Sequence, residues 1–224
     1  MKAMILAAGR GKRLSPLTEQ TPKPLLKVGK NSLIIDQLNK LAAIGVDEFV
    51  VNVSYLGQQI KDELAHHSQS FDLHVIDELF PYGTGGGLIN AMESLGDAPF
   101  ILCNADIFSE IDYAHLLLIE TSHAHLIGVP NPPHNPEGDF SIENEKVIIR
   151  TGRNDLTWSG LSVLHPKILE DYVDHQKPFD IWNTILKSLI LESRVTGHLD
   201  SALWIDVGTI ERLELARRSL KEEN

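Results

Sequence analysis

The sequence predicts an α/β fold: a Rossmann-like, mainly parallel mixed sheet flanked by helices on both faces. Three observations carry that expectation. Short apolar runs alternate with amphipathic stretches from Ala3 through Leu102, the rhythm of a parallel sheet with crossover helices. After Pro130 the rhythm changes to proline-rich loop chemistry, followed by a hairpin and further strands that join the same sheet. A glycine-containing, cationic segment directly follows the first apolar run, at the strand end where open α/β sheets bind ligands.

Ala3–Leu6 reads as a buried first strand. Leu33, Ile34, Leu38 and Leu41 recur at helical spacing up to Ile44, and Gly45 sits where such a helix stops. Glu48–Val53 is a second strand, Gly57–Leu64 a helix, Leu73–Ile76 a third strand and Leu88–Leu95 a helix. Phe100–Leu102 is a fourth strand and Leu126–Val129 a later one. The run "VPNPPHNPEGDF" is loop. "DFSIENEKVIIR" alternates about Asn144 and Glu145 as a hairpin does. "LTWSGLSVLH" is a further strand, Phe179–Leu191 a helix and "ALWIDVG" a last strand. Thr209 caps a closing helix, with Glu211 favourable in its first turn. The loops do not demand a second domain, so residues 1–224 are expected to form one.

Composition bounds the function. The chain has 224 residues, 42% hydrophobic and 23% charged, as ordinary soluble domains do. No apolar run approaches the roughly 18 residues of a membrane span, and the apolar start Met1–Leu6 is too short for a signal peptide. A lone cysteine, Cys103, excludes an intramolecular disulfide, suits a cytoplasmic location and reads as a buried strand residue. A net charge of −11 argues against a nucleic-acid partner. Yet residues 1–30 hold seven lysines and arginines against Glu19 alone. That imbalance fits a small anionic ligand, and it equally fits a solvated basic loop; composition leaves both open.

The segment "AAGRGKR" carries Ala7, Ala8, Gly9, Gly11, Lys12 and Arg13. Its glycines permit tight turns and let phosphates approach backbone N–H groups. Two common glycine loops are excluded. A P-loop needs glycine where Leu6 stands, and a dinucleotide fingerprint needs one where Leu14 stands. The fuller string, Gly9-x-Gly11-x-Arg13-Leu14-x-Pro16-Leu17-Thr18 followed by Pro22-Lys23-Pro24, resembles the signature of the sugar-1-phosphate nucleotidyltransferases. "NAD" at Asn104–Asp106 and "WIDVGT" at Trp204–Thr209 extend the resemblance over nearly the whole chain.

The resemblance implies the nucleotide-diphospho-sugar transferase fold, with a nucleotide-binding part in 1–130, a sugar-binding part in 131–205 and a closing helix in 206–224. It implies that Arg13 and Lys23 are the catalytic cations, and that Asp106 and Asp206 hold Mg²⁺, a hard ion that takes one or two carboxylates plus substrate phosphates. Ala7, Ala8, Gly9, Gly11, Lys12 and Arg13 would bind the triphosphate. In "PYGTGGGL", Thr84, Gly85 and Gly86 would approach the base, while Asn52 has either that role or a turn role. Lys23, Asn104, Asp139, Ser159 and Gly160 would meet the sugar phosphate. Pro22 and Pro24 stiffen the chain about Lys23.

The Glu-Lys-Pro motif of many relatives is missing. "RNDLTWSGLSVLHP", "VNVSYLGQQI", "EGDF" and "WIDVGTIERL" instead resemble the short bacterial N-acetylmuramate-1-phosphate uridylyltransferases of cell-wall recycling. The implied partners are UTP and a sugar 1-phosphate, with no nucleic acid and no membrane, in a monomer or small homo-oligomer. Two other readings stand beside this one: a guanylyltransferase acting on mannose or heptose 1-phosphate, and a nucleotide-sugar-binding regulator without catalysis. Retention of Arg13, Lys23, Asp106 and Asp206 together favours an enzyme.

Overall fold

The first strand sets the frame. β1 (Ala3–Leu6) is flanked on one side by β4 (Glu48–Val53) and on the other by β6 (Phe100–Asn104), both parallel to it. β5 (Asp72–Asp77) extends the β4 side, again in parallel. The computed structural model describes residues 1–67 and 70–222. Among them the central sheet has nine strands in the order β5-β4-β1-β6-β11-β8-β12-β10-β9. β8 (Ala124–Pro130), β9 (Ser141–Glu143), β10 (Lys146–Ile148), β11 (Leu156–Leu164) and β12 (Val195–Leu199) make up the second half. There the sheet turns mixed: β11 runs antiparallel to β6 and β8, while β12 is parallel to β8.

Strand periodicity of two divides the core. Ala3 and Ile5 face one side, with Phe49, Val51, Ile101 and Cys103. Here α2 (Leu33–Ala43) and α3 (Gly57–Ala65) cover the sheet with Ile34, Leu38, Leu41, Ile60 and Leu64. Met4, Val50, Phe100 and Leu102 face the other side. There α4 (Gly83–Leu95) and α5 (Lys187–Leu191) pack, α5 preceded by a π turn over Trp182–Leu186. Each large apolar side chain buried this way contributes about 1.5–3 kcal/mol.

Two smaller sheets shape the site. β7 (Ile107–Ser109) pairs antiparallel with β13 (Trp204–Asp206), and β2 (Lys27–Val28) pairs with β3 (Asn31–Ser32). The closing helix α6 (Ile210–Glu222) packs Leu213 and Ala216 onto Leu14, Leu26, Phe108 and Ile205, tying the chain's end to its opening loop. Thr209 caps it, accepting a hydrogen bond from the Arg212 N–H (3.3 Å). The helix thus begins at Ile210, and Asp206 belongs to β13 rather than to the closing element.

Other differences have local causes. The helix expected at Leu88 begins at Gly83, so the glycine run is its first turn. Phe179 lies in the approach to its helix, which follows as a π turn and then α5. The hairpin at Asn144 and Glu145 forms as expected; both residues take positive φ (49° and 64°), as a tight two-residue turn requires.

Candidate active site

Strand register builds the site. Leu6 lies beside Asn52 on one side and Asn104 on the other, so three strand ends open into one crevice. It is the point where the strand order reverses about β1. Ala7, Ala8 and Gly9 line it, with Lys23, Asn52, Thr84, Asn104 and Asp106. Pro81 and Gly83 complete its wall.

Asn52 is a clamp. Its side-chain oxygen accepts from the Ala7 N–H (2.9 Å), and its amide donates to Glu78 (2.7 Å). Glu78 in turn accepts from the Tyr82 N–H (2.7 Å). Burial pushes the Glu78 carboxyl above its usual range, opposed by these hydrogen bonds. The clamp needs Gly87, where a Cβ would lie 2.6 Å from the Asn52 amide nitrogen. Sequence reasoning left Glu78 out because an acid after a strand reads as surface.

Gly11 takes positive φ (62°) and packs against Lys23, where a Cβ would lie 3.0 Å from that lysine's own Cβ. Lys23 forms an ion pair with Asp106. Lys12 and Arg13 are exposed, and Arg13 makes no hydrogen bond or ion pair among the described residues. Arg13 lines a separate pocket under α6.

Thr84, Gly85 and Gly86 differ among themselves. Thr84 faces the crevice, and its hydroxyl also accepts from the Ile181 N–H (3.0 Å). The N–H groups of Gly85 and Gly86 are directed at the Phe179 carbonyl (3.1 and 3.5 Å), and a Cβ on Gly85 would come within 2.2 Å of the Phe179 ring. The segment around Phe179 thus accounts for these two glycines in this structure.

Asp106 and Asp206 come together from opposite ends of the sequence. Asp206 ends β13 opposite Ile107, and the Val207 N–H donates to the Asp106 carbonyl (2.8 Å). Asp206 Oδ1 meets Arg212 Nη1 at 2.7 Å and His134 Nε2 at 3.0 Å. Burial pushes the Asp206 carboxyl up; Arg212 and His134 oppose that, and Asp106 adds to it. Burial pushes the His134 imidazole down, opposed by Asp206. The donor set is all oxygen, two carboxylates surrounded by positive groups, which suits a hard divalent cation. Among the described residues, three side chains with possible ligand atoms within 4.8 Å of one another are Glu48, Asp72 and His74, at the opposite ends of β4 and β5 and away from this crevice. Lys2 already pairs with Glu48 there (3.0 Å).

A second pocket shares Asn104 and Asp106 with the first and continues to Asp139, Ser159, Gly160 and Asp206. A bulge in β11 between Trp158 and Ser162 makes its floor. Gly160 has φ 79°, and a Cβ there would lie 2.5 Å from the Asn104 amide nitrogen. Asp139 accepts from the Trp158 N–H (2.8 Å) and from Asn135 (3.1 Å), so it fastens the 131–135 loop to β11. Ser159 Oγ accepts from the Leu161 N–H (3.1 Å), and its carbonyl accepts from the Trp204 indole (2.9 Å). His134, Asn135, Thr157, Trp158 and Trp204 also line this pocket. The sequence singled out none of them, although His134 and Asn135 lie inside the proline-rich loop and Trp204 stands two residues before Asp206.

Comparison with known proteins gives concordant results. Residues 2–142 match the family described as "Nucleotidyl transferase". The chain is 39% identical to N-acetylmuramate alpha-1-phosphate uridylyltransferase of Neisseria meningitidis serogroup B, covering 97% of each chain. It is 30% identical to the mannose-1-phosphate guanylyltransferase catalytic subunit beta of Dictyostelium discoideum, over 93% of this chain and 61% of that one. The crystal structure of HddC from Yersinia pseudotuberculosis superposes with a TM-score of 0.82 at 25% identity, covering 98% of this chain and 99% of the other.

Proposed function

This chain belongs to the nucleotidyl transferase family, as a sugar-1-phosphate nucleotidyltransferase, and we propose that it transfers UMP from UTP to N-acetylmuramate 1-phosphate, releasing pyrophosphate. One observation carries the reading: Asp106 lies between two pockets, one framed by the opening loop, the other by the β11 bulge, and it is met there by Asp206. Two polyanions brought together at that point need positive charge more than they need a base.

The attacking sugar-phosphate oxygen is already anionic at neutral pH, so positioning and charge neutralisation supply the catalysis. Ala8, Gly9 and Gly11 offer backbone N–H groups to the triphosphate, with Lys12 beside them, while Ala7, its own N–H held by Asn52, lines the crevice next to them. Arg13, exposed and lining the pocket under α6 in this structure, would turn to the departing pyrophosphate and stabilise it. Lys23 leaves Asp106 to bridge the α-phosphate and the attacking phosphate, because a mobile ammonium follows a moving charge. Asn52 and Thr84 adjoin the base, with Gly85 and Gly86 packed behind Thr84 against the Phe179 segment; Asn104, Asp139, Ser159 and Gly160 adjoin the sugar. Asp106 and Asp206 would hold Mg²⁺, which when bound neutralises phosphate charge and fixes phosphate geometry.

Residues 1–130 mainly serve the nucleotide, with Lys23 and Asn104 reaching the sugar phosphate, and residues 131–205 serve the sugar, within one domain. No helix among the described residues is long and apolar enough to cross a membrane. We place the enzyme in the cytoplasm, where a lone buried thiol such as Cys103 is stable, and in cell-wall recycling. The test is pyrophosphate release with UTP or GTP against a panel of sugar 1-phosphates. UTP with N-acetylmuramate 1-phosphate is expected to be the best pair. Equal or better turnover of mannose or heptose 1-phosphate with GTP would make it a guanylyltransferase. Binding without release from any pair would make it a regulator.

A further inference from the structure

Beyond His134 and Trp204 the sugar-side pocket adjoins a second pocket beneath α6; the two share His134, Trp204 and Asp206. The walls of this side pocket are apolar, with Pro132 and Pro133 from the loop, Leu203 from before β13 and Leu215 from α6. Its ionisable groups are Arg13, Arg212 and His134 against a single carboxylate, Asp206. Two guanidiniums facing one carboxylate leave positive charge uncompensated. Arg212 bonds Asp206 through Nη1, and its Nε is buried without a partner. The two guanidiniums also crowd one spot: a Cβ on Gly208 would lie 2.1 Å from Arg212 Nη2 and 3.2 Å from Arg13 Nη2. Like charges held so close call for an anion between or beside them.

The shape of that anion follows from the walls. A free diphosphate is polar all round and gains nothing from proline and leucine. A short carbon branch ending in a carboxylate matches both the apolar sides and the cationic end. We propose that this side pocket receives an anionic ether substituent of the sugar ring, the lactyl group of N-acetylmuramate 1-phosphate, with its methyl against Pro132, Pro133 and Leu215 and its carboxylate toward Arg212 and His134. The proposal rests on the reaction given above and names what selects the sugar. N-acetylglucosamine 1-phosphate lacks the branch and leaves Arg212 and His134 without that partner.

The experiment compares kcat/KM for the two sugar phosphates with UTP. Wild-type enzyme is expected to favour the muramate substrate. Leu215 is 45% exposed on α6, so Leu215→Glu adds a negative charge to the wall from a position that tolerates it. The muramate-to-glucosamine ratio is expected to fall about tenfold, the size of one repelled charge-assisted contact. Leu215→Gln, of the same length without the charge, should keep most of the ratio, and His134→Ala should lower it. An unchanged ratio in Leu215→Glu and His134→Ala overturns the proposal, as does equal use of both sugars by wild type, and the transfer reaction survives either result. Proportional loss on both sugars in His134→Ala would assign His134 to Asp206 instead. Absence of pyrophosphate release from UTP with either sugar would instead sink the transfer reaction, and the sugar pocket with it.

Discussion

Asp106 and Asp206 are each met by a cation of the protein itself, Lys23 for the first and Arg212 for the second, with the His134 imidazole against the second as well. A carboxylate placed so is fixed in direction before any ligand arrives, and its charge is what a divalent ion would take up. Asp106→Asn keeps the shape and removes the charge, so turnover is expected to fall about a hundredfold or more while circular dichroism stays unchanged. A chelator should abolish activity and Mg²⁺ restore it. Lys23→Ala should lower kcat sharply. Lys23→Arg should restore little, since a planar guanidinium cannot pack against Gly11, already in contact with the lysine stem, and swing between two phosphates. Wild-type rates in Lys23→Ala would reduce the Pro-Lys-Pro segment to a turn.

Between elements, buried polar contacts carry the positioning. Gln37 of α2 is fully buried; it donates to the Ile107 carbonyl (2.6 Å) and accepts from the Tyr113 hydroxyl (2.6 Å). It therefore fastens α2 to β7 one residue beyond Asp106. Gln37→Leu removes the donor to the Ile107 carbonyl and leaves the Tyr113 hydroxyl only Ser109 Oγ at 3.4 Å, and should cost about 1–3 kcal/mol in urea denaturation. β8 and β12 hold a second contact, His125 Nε2 to His198 Nδ1 at 2.9 Å. Burial, and then the neighbouring His198, push the His125 imidazole down from 6.5 to about 4. Between those values the unfolded chain binds the proton and the folded chain does not, so stability rises with pH across that window. The urea midpoint should fall as pH drops from about 7 to about 4.5, and His125→Gln should flatten that dependence. A flat profile in the unmodified protein would dismiss the pair as a pH-sensitive contact. What the sequence made legible follows the same physics. β1, β4, β6, α2 and α3 are long enough to show a period. β2, β3 and β7 are two or three residues long and show none. β12, with Thr196, Gly197 and His198 in its centre, looks like a turn until β8 and β10 flank it. Arg13, Lys23, Asp106 and Asp206 stand in distinctive strings, whereas Arg212 and His134 acquire meaning only when α6 and the proline-rich loop meet at Asp206.

At the scale of the molecule the positive charge is local on an acidic body. The chain carries −11 overall, yet Arg13, Lys23 and Arg212 line the pockets at or beside the strand ends. Substrate phosphates would complete that charge balance, and they would do so across both halves of the sheet. The first half supplies Ala7–Gly9 and Lys23; the second supplies Asp206, the β11 bulge and α6. The closing helix binds the opening loop through Leu14, Leu213 and Ala216, so a ligand that orders the loop also loads α6. UTP with Mg²⁺ should therefore stabilise the whole chain as one cooperative unit rather than one half of it. At a hundredfold excess over its dissociation constant a ligand adds about 2.7 kcal/mol. For a chain of this size that corresponds to a rise in Tm of roughly 5–10 °C. A single calorimetric transition is expected to move by that amount with UTP and Mg²⁺, and to return to its starting position with chelator. Two transitions, of which only one moves, would show that the halves unfold separately and that α6 does not couple them.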